Sequence, residues 1–366
     1  MGYKAVHRLF YYLSIVLTLL IAGITASVVL IGNIPPIRSM FVTSVALFLF
    51  PILLINLVLT IYWIYRLRFW FVFPLAAIII NFGFILSIFQ FRTSPSPGSI
   101  DKQNMFTVLT YNVGDRRMQL NKDTLLRISN FIKTQDADIL CFQEMAPHRG
   151  LTIDSINNIF AKWPYRYFPP DTVFPFAIQT PIYSKYPIKN KGYYKFPNSK
   201  CSLLWCDFDV NGRTIRVINN YLQSTQLNMK EAMLEEKLAC GGANAIEDAI
   251  CSVFNLLKKN FVLRNSQAEV TCEFIKESPY PTLVCGDLNS IPSSHIYHIV
   301  RGKKLKDGFR TCGHGYMYTY RYLQRMLRID YIFHTSQFEG LDYYSRKLNY
   351  SDHNPVIMEM KIKSTN

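Results

Sequence analysis

The hydrophobic rhythm of the chain changes once, near residue 92. Before that point apolar residues run without a polar face in three blocks, Leu9–Ile37, Phe41–Tyr65 and Phe69–Phe91. A membrane-spanning helix needs about 20 apolar residues, and each block is long enough. A buried soluble helix would carry a polar stripe at helical spacing, and none is visible in these blocks. They predict three transmembrane helices. Tyr11, Tyr12, Tyr62, Trp63, Tyr65 and Trp70 fall near block ends, where interfacial aromatic belts sit. The segment "TSPSPGS", Thr93–Ser99, reads as a linker. The expected organisation is an anchor over 1–92, a linker over 93–104 and one folded domain over 105–366.

After the linker the pattern alternates between strand and helix. "FTVLTYNV" (Phe106–Val113) and "DILCFQEM" (Asp138–Met145) are short apolar runs of buried strands. Between them, Leu125, Ile128, Phe131 and Ile132 mark one face of a helix over Thr124–Thr134. "LLWCDFDV" and "TIRVINNYL" flank Asn211-Gly212, the signature of a two-residue type I′ hairpin. Asn228–Lys276 turns helical with a break at Gly241-Gly242, and strands return at Pro281–Cys285, Ile329–His334 and Val356–Ile362. Hairpins mixed with helices exclude an all-parallel doubly wound sheet and predict an α/β domain with substantially antiparallel sheets.

Charge sharpens the division. The 366 residues carry a formal net charge of +15. Residues 1–100 contain no Asp or Glu, and only Lys4, Arg8, Arg38, Arg66, Arg68 and Arg92 among the Lys and Arg. Lys4, Arg8, Arg66 and Arg68 fall on one side of the three blocks and Arg38 on the other, so the positive-inside rule places the C-terminal part outside the cytoplasm. The basic balance of the rest suits an anionic ligand such as a phosphate ester, a nucleic acid or an acidic membrane surface. All eight Cys follow residue 140 with no Cys-x-x-Cys pair, which excludes the usual zinc spacing. Cys141 and Cys285 lie in apolar strand patterns as packing residues; Cys201 and Cys206 are near enough in sequence to leave a disulfide open.

The candidate chemistry lies where strands end. The first strand ends at Asn112, the second at Gln143-Glu144, and the second hairpin strand at Asn220-Tyr221. "LVCGDLNS" closes on Asp287 and Asn289, "LRIDYIF" sets Asp330 among apolar residues, and "YSDHNPV" sets Asp352-His353 before the last strand. Each alone is a cap or a turn. Unpaired carboxylates are rarely buried, however, and several at successive strand ends call for a common cause. Hard oxygen donors select Mg²⁺ or Mn²⁺ over zinc, and a His beside an Asp can orient a phosphate. Together these are the parts of metal-assisted phosphoester hydrolysis.

The series "YNV", "FQEM", "GDLNS", "RIDYIF" and "SDHNPV", in this order and spacing, resembles the endonuclease/exonuclease/phosphatase superfamily, and "YSKYPI" (Tyr183–Ile188) resembles a further family segment. The likeness covers about residues 105–362 and suggests a membrane-anchored bacterial type. It implies an α/β fold, a two-sheet β-sandwich flanked by helices in four layers, here preceded by the three transmembrane helices. It further implies Glu144 as principal metal ligand, with Asn112 and Asp352 bordering the metal, and Mg²⁺ (or Mn²⁺) as cofactor. Asp287 would orient or deprotonate the attacking water and Asn289 would hold phosphate or water. His353 would contact the phosphate, its tautomer fixed by Asp330. The choice of Asp287 or His353 as base stays open. Tyr221 stands where many phosphodiesterases of the superfamily have His; the superfamily's abasic-site endonucleases resemble this chain in using Tyr there.

Four other features are weaker. His314 in "CGHGYMYTY" reads as an exposed loop residue, "RGKKLKDGFR" (Arg301–Arg310) as a solvated charge run, and Tyr316, Tyr318 and Tyr320 as one strand face. His295 and His298 read as structural residues of a helix. The expected function is a membrane-anchored, Mg²⁺-dependent phosphoesterase. It would act as a phosphodiesterase on a phospholipid or inositol-type headgroup or on nucleic acid, in the periplasm at the inner or plasma membrane. The alternative is an inactive membrane-tethered binding module of the same fold.

Overall fold

The computed structural model describes residues 2–31, 45–94, 105–114, 120–145, 151–169, 180–225 and 243–363. The chain forms two units, Met1–Ile88 with Pro292–His298, and Phe89–Ile291 with Ile299–Asn366.

The first unit is built on helices α1 (Gly2–Ile31), α2 (Leu49–Tyr65), α3 (Val72–Ile80) and α4 (Phe82–Ile88). Among the described residues one straight helical stretch, Tyr3–Val29 within α1, is long and apolar enough to cross a membrane. Helix α2 has 17 residues, and residues 32–44 before it lie outside the described set. The third block is not one straight helix: it bends by 54° between α3 and α4. Asn81 sits at the break, where its Nδ2 donates to Ala77 O at 2.9 Å and to Thr25 O at 2.8 Å. The blocks also hide a polar seam that sequence spacing did not reveal. Asn56 Nδ2 donates to Thr25 Oγ1 at 2.7 Å and Trp63 Nε1 to Thr18 Oγ1 at 2.8 Å. Such bonds hold apolar helices together where hydrophobic contrast is weak.

The second unit opens with strand β1 (Phe89–Gln90), so the last residues of the third apolar block are strand. It continues through β2 (Met105–Asn112), α5 (Lys122–Thr134), β3 (Ile139–Gln143), α6 (Ile153–Ile159), β4 (Tyr165–Tyr167), β5 (Ile182–Ser184), β6 (Ile188–Lys195), β7 (Ser202–Val210) and β8 (Arg213–Tyr221). Then follow α7 (Ala243–Glu277), β9 (Thr282–Asp287), α8 (His295–Arg301), whose residues up to His298 count with the first unit, β10 (Lys306–Asp307), α9 (Gly308–Cys312), β11 (Gly315–Tyr316), β12 (Asp330–His334), β13 (Phe338–Ser345) and β14 (Val356–Ile362).

Two six-stranded sheets carry the unit, in the orders β13-β14-β2-β3-β5-β4 and β10-β12-β9-β8-β7-β6. Each mixes one parallel pair, β2 with β3 or β8 with β9, into antiparallel neighbours. The fold is therefore the expected α/β arrangement of two sheets flanked by helices. Alternation along the strands explains the stacking. Val108, Cys141, Val356 and Met358 face Leu204, Cys206, Val217, Leu283, Cys285 and Ile332 in one core between the sheets. Leu109, Tyr111, Leu140, Phe142 and Ile357 turn outward against Leu125, Ile128 and Ile132 of α5 and Ile156 of α6. Strands buried on both faces read as unbroken apolar runs.

The hairpin between β7 and β8 turns at Asn211 (φ 52°) and Gly212 (φ 81°), the double left-handed step of a type I′ turn. "RGKKLKDGFR" is not wholly solvated: Asp307 is buried and bonds Arg328 Nη1 at 2.8 Å. The Arg328 guanidinium also lies 4.7 Å from the centre of the Tyr331 ring. This buried pair anchors the approach to β12, two residues before Asp330. The seven described cysteines, Cys201 and Cys206 included, are free thiols.

Candidate active site

Five strand ends meet at one edge of the sandwich. In the first sheet Asn112 of β2 pairs across from Gln143 of β3, and Glu144 follows. In the second sheet Asp287 of β9 pairs with Tyr221 of β8 on one side and with Asp330 of β12 on the other. Core strands thus end in polar side chains because this edge is where the two sheets present them to one another.

Asn112, fully buried, links the sheets: its Nδ2 donates to Glu144 Oε1 at 3.0 Å and to Asp287 Oδ2 at 3.1 Å. Its Oδ1 accepts from Gly114 N at 3.0 Å. Tyr221 OH donates to the same Glu144 Oε1 at 2.7 Å. The phenol therefore meets a carboxylate rather than standing free. Burial, and then the Glu144 charge, push its pKa well above the ordinary value, so it remains a donor. Glu144 is half-buried rather than enclosed, and takes a left-handed backbone (φ 57°). Gly114 makes room for it: a Cβ there would lie 2.3 Å from Glu144 Oε2.

Asn289, also left-handed (φ 47°), folds back on Asp287. Its N–H donates to Asp287 Oδ1 at 2.7 Å and its Nδ2 to Asp287 Oδ2 at 3.0 Å. The pair that looked like a plain Asx turn is one, and it also fixes the carboxylate toward Asn112. Burial, then the neighbouring Asp330, raise the Asp287 pKa to about 8.

His353 Nδ1 donates to Asp330 Oδ2 at 2.8 Å, and its Nε2 lies 3.9 Å from Asp287 Oδ2 and 3.8 Å from Asp352 Oδ1. Burial opposes charging this ring, but Asp330 and Asp287 outweigh it and lift its pKa to about 10. Asp287, Asp330 and His353 hold donor atoms within 4.8 Å of one another. An imidazolium is a poor metal ligand, so the oxygens of Glu144, Asn112 and Asp352, rather than His353, are the donors that could hold a hard cation. Asp330 Oδ1 is buried and has no hydrogen-bond partner among the described residues.

Sequence spacing missed three residues here. Ser351 Oγ donates to Asn112 O and Gly114 O at 2.7 and 2.6 Å and accepts from His353 N at 3.0 Å. Tyr320 packs edge-on against the His353 ring, centroids 5.3 Å apart. Arg264, deep in α7, donates to Asn289 O. Ser351 could have been suspected from its place before Asp352-His353; Tyr320 stood out only within the Tyr316, Tyr318, Tyr320 alternation, and Arg264 gave no local signal. Tyr316, Tyr318 and Tyr320 are not one strand face, since only Gly315–Tyr316 is strand. Asn220 turns away from Tyr221 and donates to Thr271 Oγ1 at 3.1 Å. His314 Nδ1 lies 3.3 Å from Asp342 Oδ1, outside the cluster.

The sequence profile of the Endonuclease/Exonuclease/phosphatase family matches residues 109–353, which contain every residue of this cluster. The chain belongs to that family. It is accordingly a hydrolase of phosphoester bonds, of a divalent-metal-dependent family. No curated protein sequence matches the chain. Among solved structures, an endonuclease/exonuclease/phosphatase from Bacteroides vulgatus is similar with TM-score 0.53 and 18% identity, over 71% of this chain and 99% of the other. A functionally unknown conserved protein from Enterococcus faecalis V583 gives TM-score 0.51 and 17% identity, over 70% and 100%. A humanised D. rerio TDP2 gives 0.50 and 16%, over 70% and 99%. At these identities the likeness concerns the fold of the phosphoesterase unit.

Proposed function

We propose that the chain is a membrane-tethered, Mg²⁺-dependent phosphodiesterase. The observation that carries the reading is the bond network joining Glu144, Asn112 and Asp287 across the two sheets, beside a His353–Asp330 pair. Glu144, with Asn112 and Asp352 nearby, would hold the cation, with Mn²⁺ able to substitute. A bound cation supplies charge neutralisation at the phosphoryl oxygens. Asp287, steadied by two bonds from Asn289, accepts the proton of the attacking water. His353, held as a cation by Asp330, offers Nε2–H to a phosphoryl oxygen. That geometry favours Asp287 over His353 as the base. Tyr221 orients Glu144, a role that needs its hydroxyl and no titration. Tyr221→Phe is expected to lower kcat about ten- to hundredfold, the usual cost of losing a partner that orients a metal ligand. Unchanged kcat would make Tyr221 a packing residue.

The substrate carries a phosphodiester, and a phospholipid or inositol-type headgroup is favoured over nucleic acid because the apolar helices hold the chain at a bilayer. A panel of phosphomonoesters, phosphodiesters, phospholipids and DNA, assayed with Mg²⁺ and with EDTA, tests this. Preferential hydrolysis of DNA, lost steeply with salt, would transfer the reading to nucleic acid. No metal-dependent hydrolysis of any member would leave a binding module.

The apolar helices tether the domain with its site outside the cytoplasm, a topology supported by Lys4, Arg8, Arg66 and Arg68 flanking them. A C-terminal alkaline phosphatase fusion is expected to be active and a C-terminal green fluorescent protein fusion dark. The reverse pattern would place the site in the cytoplasm.

A further inference from the structure

We propose that Arg264 is a positioning residue that locks the turn carrying Asp287 and Asn289. Only the kinetic half of its test rests on the phosphodiesterase reading. Arg264 lies on α7 with 1% of its surface exposed. Its Nη1 donates to the main-chain oxygen of Asn289 and sits 3.4 Å from Ser290 Oγ. Its Nε donates to Asn260 O, one turn earlier, at 3.4 Å, and its guanidinium lies 4.5 Å from the centre of the Phe261 ring. These partners are carbonyls, a hydroxyl and a ring rather than a carboxylate. A cation this deep costs desolvation that ordinary packing does not return.

The conformation of Asn289 shows what the cation holds. Asn289 is left-handed at φ 47°, a state open to Asn but short of the backbone minimum for L-residues. In that state its N–H and Nδ2 both meet the Asp287 carboxylate, while its carbonyl turns to α7. Relaxing Asn289 to the right-handed region would break the Arg264 bond and the Asp287 bonds together. The Arg264 bond and the orientation of Asp287 are therefore one conformational choice. Neighbouring bonds point the same way. Tyr331 OH donates to the next carbonyl, Ser290 O, at 2.7 Å. One turn along α7, Gln267 Oε1 accepts from Gln223 N at 2.8 Å, which ties the same helix face to the chain leaving β8. Arg264 thus reaches the reaction through Asn289, without touching substrate.

The test compares full-length wild type with Arg264→Met and Arg264→Gln; Gln keeps a donor for Asn289 O and Met does not. In Arg264→Met, kcat should fall about ten- to hundredfold with KM within twofold, and Arg264→Gln should recover most of that loss. Amide hydrogen exchange supplies a readout independent of any substrate. Exchange over Asp287–Ser290 should accelerate at least tenfold in Arg264→Met, and exchange over core strand β8 should not. If Arg264→Met does not fold, Arg264→Gln against wild type carries both readouts, with near-wild-type values expected. Equal kcat and equal exchange in Arg264→Met and wild type would overturn the proposal, as would acceleration spread evenly over the unit. Wild type inactive on every phosphodiester would defeat the phosphodiesterase reading and leave the exchange result to decide this one.

Discussion

Glu144→Gln is expected to cut phosphodiester turnover by about 10³-fold while the fold survives. The carboxylate is the one negatively charged side chain that Asn112 and Tyr221 both address, through Oε1. With those two donors on one oxygen, Oε2 is left toward Gly114, where a Cβ would lie only 2.3 Å away. Gln keeps the volume and one acceptor but removes the charge that a hard cation needs. Losing a metal's charge stabilisation of several kcal/mol corresponds to about three powers of ten in rate. Because Glu144 is half-buried and follows the last residue of β3, stability should change little. A thermal midpoint within a few degrees of wild type, with kcat collapsed, is the expected pair of results; kcat within tenfold of wild type would remove Glu144 from the site.

Asp330→Asn should act on both catalysis and stability. Asp330 and His353 are both buried and bonded at 2.8 Å. Breaking a buried pair by removing one partner costs about 3 kcal/mol, and turnover should fall about 10²-fold as the ring loses its charge and its orientation. The pH dependence gives an independent check. The folded pKa of His353, raised to about 10, stands above its unfolded value of about 6.5. Its contribution to stability is complete below the unfolded pKa and is lost as pH rises through the folded one. Asp287, raised to about 8, favours the fold only while protonated, so its contribution is lost from about pH 4 up to that value. Both effects run in the same direction: the metal-free protein should lose stability between pH 7 and 10. Asp330→Asn removes the largest charge behind the His353 shift and the second cause, after burial, of the Asp287 shift, and its melting temperature should vary less over that range. A profile as steep as wild type would show that Asp330 does not hold His353.

What the sequence revealed follows from where its signals are local. Strand β14 matched its reading at both ends, and β2, β9 and β12 to within two residues, because strands covered on both faces leave unbroken apolar runs. The turn at Asn211-Gly212 was legible because only a few residues take two left-handed steps. Strand β6 was not, since its sequence, Ile-Lys-Asn-Lys-Gly-Tyr-Tyr-Lys, carries no apolar run, and at a sheet edge none is required. The site was legible as a list: Asn112, Glu144, Asp287, Asn289, Asp330 and His353 all stand at strand ends and do meet. Their pairing was not, because it depends on which ends two separate sheets bring together. Tyr221 illustrates the gap, its type fitting a phosphate donor and its actual partner being Glu144. Arg264 was invisible for a related reason, lying within a 35-residue helix where an Arg ordinarily faces solvent. Asn81 failed differently: one amide in an apolar block does not interrupt a hydropathy count, yet the helix pair bends by 54° where it stands.

The account stands most directly on metal-dependent turnover by the full-length chain. Purified protein stripped with EDTA should hydrolyse an activated phosphodiester no faster than the Glu144→Gln variant. Resupplied Mg²⁺ or Mn²⁺ should restore wild type alone. Equal hydrolysis by stripped and resupplied wild type would contradict the assignment of Glu144, Asn112 and Asp287 to a metal-assisted site.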